Sequence, residues 1–155
     1  MKDALIDERL TSHVNHTRRM IDVQGYALQS VQTQPSFTYT AGMSKSSFGA
    51  DILIPGTSVA AIQWLQRFNK MALEGAIEAA EGRNYAAQFG GVAVHLRRLL
   101  PRQVNKLMRM AVIMSEPTQI RGFLLIVPAS NMEHHEMIMR EEFLHDPALD
   151  ERNLR

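Results

Sequence analysis

The stretch PSFTYTAGMSKSSFGADILIPG, Pro35 to Gly56, decides how the chain reads. Phe37, Tyr39 and Ala41 alternate with Ser36, Thr38 and Thr40. Period-two alternation of β-prone residues predicts a strand over Ser36–Met43, with its aromatics on the core side. Ser44-Lys45-Ser46-Ser47 is polar and turn-prone. Asp51-Ile52-Leu53-Ile54 is a second, apolar strand, closed by Pro55-Gly56, which ends a ladder and turns the chain. Thr57 or Ser58 then supplies the side-chain acceptor that the first amides of a helix need.

Working outward, Asp3 to Asp22 lacks Gly and Pro and carries Leu5, Leu10, Val14 and Ile21 on one side, so it reads as a helix stopped by Gly25. Tyr26–Thr33 alternates again, and Gln32-Thr33-Gln34-Pro35 is too short for a parallel crossover, so these two strands pair as an antiparallel hairpin. Ser58–Glu81 keeps three- and four-residue apolar spacing through Val59, Ile62, Leu65, Phe68, Ala72 and Ile77, which predicts the longest amphipathic helix, weakened at Gly75 and ended by Gly82. Val92–Arg98 alternates as a strand with His95 on the side away from the valines. Pro101 opens a helix that runs to Ser115. Phe123-Leu124-Leu125-Ile126-Val127 is a continuous apolar run, the pattern of a strand buried on both faces. Ser130 or Asn131 caps a last helix through Phe143. The expectation is a single α+β domain over residues 1–155, with a mainly antiparallel sheet of about five strands and helices packed on it. An N-terminal helix (about residues 3–22) and an acidic C-terminal helix and tail (about residues 130–155) flank it.

Composition narrows the function classes. The chain has 155 residues, no cysteine and a formal net charge of +1. Thiolate metal sites, cysteine nucleophiles and disulfides are excluded. The near-zero charge gives no global attraction to nucleic acid or membrane. No apolar run approaches a membrane span and the first residues do not form a secretion signal, so a cytoplasmic setting is expected. The phosphate-loop, dinucleotide-fold, nucleophile-elbow and HExxH patterns are all missing, so no catalytic residue, cofactor or metal is assigned and enzymatic activity is not expected.

Four local features remain. His13 and His16 lie three apart on a helix, where a solvated face is the plain reading. Glu74, Glu78 and Glu81 form an acidic ridge on the longest helix, again read as solvated. His134, Glu141 and His145 share a helical face but are spread over three turns, each about 5.4 Å, too far for a compact metal shell; His135 shares another face with Glu142. Finally, no acid occurs between Arg83 and Ser115, a span that carries Arg83, Arg97, Arg98, Arg102, Lys106 and Arg109, while seven acids follow from Glu133 onward. This basic segment can meet the acidic one in the same chain or in a second copy, an acidic protein, or a nucleic acid or phosphorylated ligand. No aromatic or Gly-rich pattern is interleaved with its basic residues, so stacking on bases has no obvious platform.

Phe37 with Tyr39-Thr40-Ala41-Gly42-Met43, the block Phe48–Gly56, and Leu124-Leu125-Ile126-Val127-Pro128 together resemble the family known as domain-of-unknown-function 4262, over about residues 22–131. The chain departs from that pattern at Ala129, where the family carries an acid, and at Ala50-Asp51, where it carries a His-Pro-Glu triplet. The resemblance implies an α+β fold and a cytoplasmic bacterial or phage setting, and it supplies no catalytic residue. The first expectation is a binding or regulatory protein that acts through protein surfaces, its expected partners being itself as a homo-oligomer or another protein; the ten Met residues suit an adaptable contact face. The alternative is a small enzyme or ligand-binding protein for a phosphorylated or nucleotide-like molecule. It would use Tyr39, Thr40, Lys45, Ser46 and Ser47, with His95 or Arg97 across the cleft. The third is nucleic-acid binding through Arg97–Arg109.

Overall fold

The computed structural model describes the backbone of residues 2–140 and the side chains of residues 8–140. Its elements are α1 (Lys2–Gln24), β1 (Ala27–Val31), β2 (Phe37–Ala41), β3 (Asp51–Pro55), α2 (Val59–Leu73), β4 (His95–Arg98), α3 (Pro101–Leu107), α4 (Arg109–Ser115), β5 (Gly122–Ile126) and α5 (Met132–Met139). The five strands form one sheet in the order β1-β2-β3-β5-β4. Only β3–β5 is parallel; β1–β2, β2–β3 and β4–β5 are antiparallel. The fold is α+β, as the sequence predicts. No helix among the described residues is long and apolar enough to cross a membrane.

Helices cover both faces of the sheet. On one side, Ile52, Ile54, Phe123, Leu125 and Leu96 pack against Leu65, Phe68 and Ala72 of α2 and against Tyr85 and Phe89. On the other, Phe37, Tyr39, Leu53 and Leu124 pack against α3, α4 and Ile138 of α5, with Val14 and Ile21 of α1 at the margin. Strands covered on both faces lose their polar side. Thr38 and Thr40, which alternation puts opposite the aromatics, are fully buried. Their hydroxyls are satisfied internally: Thr38 donates to the Gly56 carbonyl at 3.1 Å and Thr40 to Asp51 at 2.7 Å.

Three helices are shorter than the sequence suggests; of these α5, expected through Phe143, ends at Met139, where Arg140 is extended (φ −77°, ψ 131°). The helix expected over Ser58–Glu81 stops at Leu73. Gly75 takes φ of 78°, its amide donates to the Ala72 carbonyl at 3.2 Å, and the Ala76 amide reaches the Met71 carbonyl at 3.0 Å. This is the paired C-terminal closure that a left-handed glycine permits. Gly75 therefore terminates the helix and does not merely weaken it, and Glu74, Glu78 and Glu81 form no helical ridge. The helix expected over Pro101–Ser115 divides at Met108, whose φ and ψ are −110° and 49°. The buried Tyr39 hydroxyl accepts from the Met110 amide at 3.0 Å, giving that donor a partner outside the helix. Arg102 and Lys106 consequently lie on α3 while Arg109 starts α4, so the three do not share one helix face.

Gly122 starts β5 where α3 crosses it. A Cβ added there would lie 2.7 Å from Val104 Cγ2 and 2.9 Å from the Met108 sulfur. Gly122→Ala must push α3 off the sheet, and we expect it to lower unfolding stability by about 1–3 kcal/mol in chemical denaturation. Gly122 is the one described glycine without a positive φ, so this cost comes from the close contact and not from backbone strain.

Candidate functional site

The loop between β2 and β3 is built on a buried carboxylate. Backbone pairing of the two strands runs from Phe37–Pro55 to Tyr39–Leu53. Beyond it, the Thr40 hydroxyl accepts the Ile52 amide at 2.9 Å and donates to Asp51 Oδ1 at 2.7 Å. The strands are thus bridged by a side chain and begin to part. Asp51 is fully buried and accepts three more donors: the Met43 amide at 2.9 Å on Oδ1, and the Ser44 amide and hydroxyl at 3.1 and 2.5 Å on Oδ2. Those bonds fold Met43–Lys45 into a single 3-10 turn, tightened by Ser46, whose hydroxyl donates to the Met43 carbonyl. Burial pushes the Asp51 carboxyl above its ordinary range, and the Ser44 and Thr40 hydroxyls and the Met43 and Ser44 amides pull it back down.

The turn is fastened to α1 as well. Gly42 takes φ of 99°, and a Cβ there would lie 2.7 to 2.9 Å from three carbons of the Ile21 side chain. Between α1, this turn and the end of α4 lies an open cleft of about 560 Å³. Arg18 and Asp22 of α1, Lys45 of the turn and Glu116 after α4 supply its charges; Ile21, Ile113 and Met114 supply apolar wall.

The residues proposed from sequence as one ligand site are separated. Tyr39 is buried, its hydroxyl occupied by Met110, and burial pushes its ionisation upward, so it stays protonated near neutrality. Thr40 is buried against Asp51. Lys45 alone of the set lines the 560 Å³ cleft. Ser47 lines a different cavity of about 340 Å³, with Phe48, Ile77 and Arg121. His95 and Arg97 lie on β4, three strand spacings, or about 14 Å, from β2. His95 pairs with Ile126 at the far end of β5 from Gly122, which faces Asp51. A cleft joining Thr40 and Lys45 to His95 or Arg97 is therefore not formed.

The β4 margin carries its own groove, of about 600 Å³, lined by Leu96, Leu100, Ile126 and Met139 together with Glu81, Arg97, Arg98 and Gln103. Arg97 and Arg98 are exposed, and Leu100 is an exposed large hydrophobic. The open edge of β4 is itself occupied. Glu81 accepts the Arg98 amide at 2.6 Å, and the Gly82 and Tyr85 amides donate to the Leu96 and Val94 carbonyls at 3.3 and 2.9 Å. A partner would thus meet side chains in the groove and no free strand edge.

The histidines take local roles. His13 bonds Gln29 at 2.8 Å. His134 Nδ1 accepts the Ser36 amide at 3.0 Å, which places the ring proton of the neutral form on Nε2 and ties α5 to the start of β2. Glu141, Glu142 and His145 lie outside the described residues; within them no group of three metal-ligating His, Asp or Glu side chains comes together. His135 Nδ1 is buried without a partner, and desolvation, reinforced by Arg97 and opposed by Glu136, pushes its basicity down.

Sequence patterning missed the two features that shape this region. The Asp51 clamp has a signal, an acid at the head of a strand buried on both faces. The cleft has none, because Arg18, Lys45 and Glu116 meet only through tertiary packing. Two outcomes follow. Asp51→Asn leaves a carboxamide N–H₂ facing donors, and we expect it to cost about 2–3 kcal/mol in denaturant unfolding. For His135 the folded state resists protonation, so its contribution to stability is present above pH 6.5 and is lost as pH falls through the lowered value. His135→Gln should flatten that part of the stability–pH curve below pH 6.5. Comparison with protein-family models, curated proteins and solved structures finds no match.

Proposed function

We propose that the chain is a binding protein that acts through a protein–protein surface, and that the groove beside β4 is that surface. One observation carries this reading: two exposed arginines, Arg97 and Arg98, flank a groove whose remaining wall is largely apolar, with Leu100 standing exposed at its rim. Such a groove suits an extended segment that alternates acidic and aliphatic side chains. Carboxylates would pair with the guanidinium groups, whose fork accepts them in two parallel bonds, and aliphatic side chains would cover Leu100 and Met139. Met139 gives the groove an adaptable wall. None of the lining residues is aromatic, so a nucleic acid would find phosphate contacts there but no stacking platform. The partner is then another protein or a second copy of this one.

The reading is tested by fluorescence anisotropy with a labelled peptide of alternating Glu and Leu, against a single-stranded oligonucleotide. The peptide should bind with an affinity that falls as salt rises, and the double variant R97E/R98E should weaken it at least ~10-fold. Equal binding by the variant, or preference for the oligonucleotide, contradicts the reading. If the partner is a second copy, the molar mass by light scattering at low salt exceeds 17.5 kDa and falls toward it as salt is raised.

A further inference from the structure

The cleft between α1, the Met43–Lys45 turn and α4 lies at the other end of the sheet's organisation from the β4 groove. Its geometry is set by three constraints. Asp51 holds the turn with two amide and two hydroxyl donors. Gly42 lets that turn approach Ile21 more closely than any other residue would allow. The Tyr39–Met110 bond fixes where α4 begins. A cavity walled by constrained backbone is preorganised, so a ligand entering it need not order the site at its own expense.

The wall chemistry is two-signed. Arg18 and Lys45 bring cationic heads to the cleft, and Asp22 and Glu116 bring carboxylates. Arg18 and Asp22 stand four apart on one helix, where opposite charges are well placed to pair. Yet neither Arg18 nor Asp22 stands in an ion pair within 4.0 Å among the described residues. Neither α1 nor α4 has a basic residue in its last turn to offset its carbonyl end. Ile21, Ile113 and Met114 provide the apolar wall, and about 560 Å³ falls in the range of small-molecule sites.

From this arrangement we propose that the cleft binds a small zwitterion, with one ammonium and one carboxylate on an apolar body of about dipeptide size. The carboxylate meets Lys45 and Arg18. The ammonium meets Asp22 and Glu116, and the apolar body lies on Ile113 and Met114. A purely anionic ligand would bring its charge against the two acids, and a purely cationic one against the two bases, so each meets a repulsive pair that the zwitterion avoids.

The test uses three probes that differ only in charge: the dipeptide alanyl-leucine, its N-acetyl form (anion only) and its C-terminal amide (cation only). Titration of the full chain is followed through backbone amide signals in NMR. Alanyl-leucine at millimolar concentration should shift the signals of Gly42, Lys45 and Ile113, and each blocked form should bind about three- to fivefold more weakly. The double variant R18A/K45A should lose the preference for the dipeptide over its amide but keep that over the N-acetyl form. D22N/E116Q should show the reverse. All four side chains are exposed, and an unchanged thermal midpoint confirms that each variant is folded. No shift with alanyl-leucine, equal affinities for the three probes, or preferences unchanged in the variants would overturn the proposal.

Discussion

A carboxylate with no water contact, Asp51, organises this end of the molecule. Burying a charge is costly unless donors replace its hydration. Here four donors do so, two on each oxygen, which is the full accepting capacity of an ionised carboxylate. The arrangement works in both directions. Without Asp51 the buried Thr40 hydroxyl proton and the Met43 amide would have no acceptor in the interior. The β2–β3 ladder ends where it does because Thr40 takes the Ile52 amide that a strand carbonyl would otherwise accept. The loop that follows is consequently a fixed turn, and the position of Lys45 is inherited from it.

Other contacts extend the same geometry. Gly42 admits Ile21, which brings the last turns of α1 against the loop. The Tyr39 hydroxyl receives the Met110 amide, so the helix that would have carried Arg102, Lys106 and Arg109 as one stripe is divided. Gly122 admits Val104 and Met108, which seats α3 on β5. Each is a close approach between a small or polar group on the sheet and a helix. The two-signed cleft of Arg18, Asp22, Lys45 and Glu116 is thereby kept apart from the groove beside β4 that Arg97, Arg98 and Glu81 line.

Much of this was legible in the residues. The hairpin, the strands of alternating or continuous apolar character, the glycine stop after α1 and the Asn131 cap of α5 all follow from local patterning, and each is found. What local patterning could not supply was the second covering layer. With helices on both faces, the threonines of β2 are interior groups, and Thr40 and Tyr39 are taken from the candidate site. Nor could it distinguish a glycine that weakens a helix from one that ends it, because Gly75 acts through its positive φ and the residues beyond it. The separation of Lys45 from His95 and Arg97 depends on the strand order, with β5 inserted between β3 and β4, which spacing along the chain does not encode.

The Asp51 carboxylate holds the Met43–Lys45 turn in one conformation. Native-state amide hydrogen exchange reads this directly, because the Met43 and Ser44 amides have Asp51 as their acceptor. Both should exchange as slowly as the amides of β3, and both should become fast in Asp51→Ala, which removes both acceptor oxygens, while the β5 amides stay protected under conditions where the variant remains folded. Fast exchange of Met43 and Ser44 in the unmodified protein, at rates typical of an open loop, would contradict it.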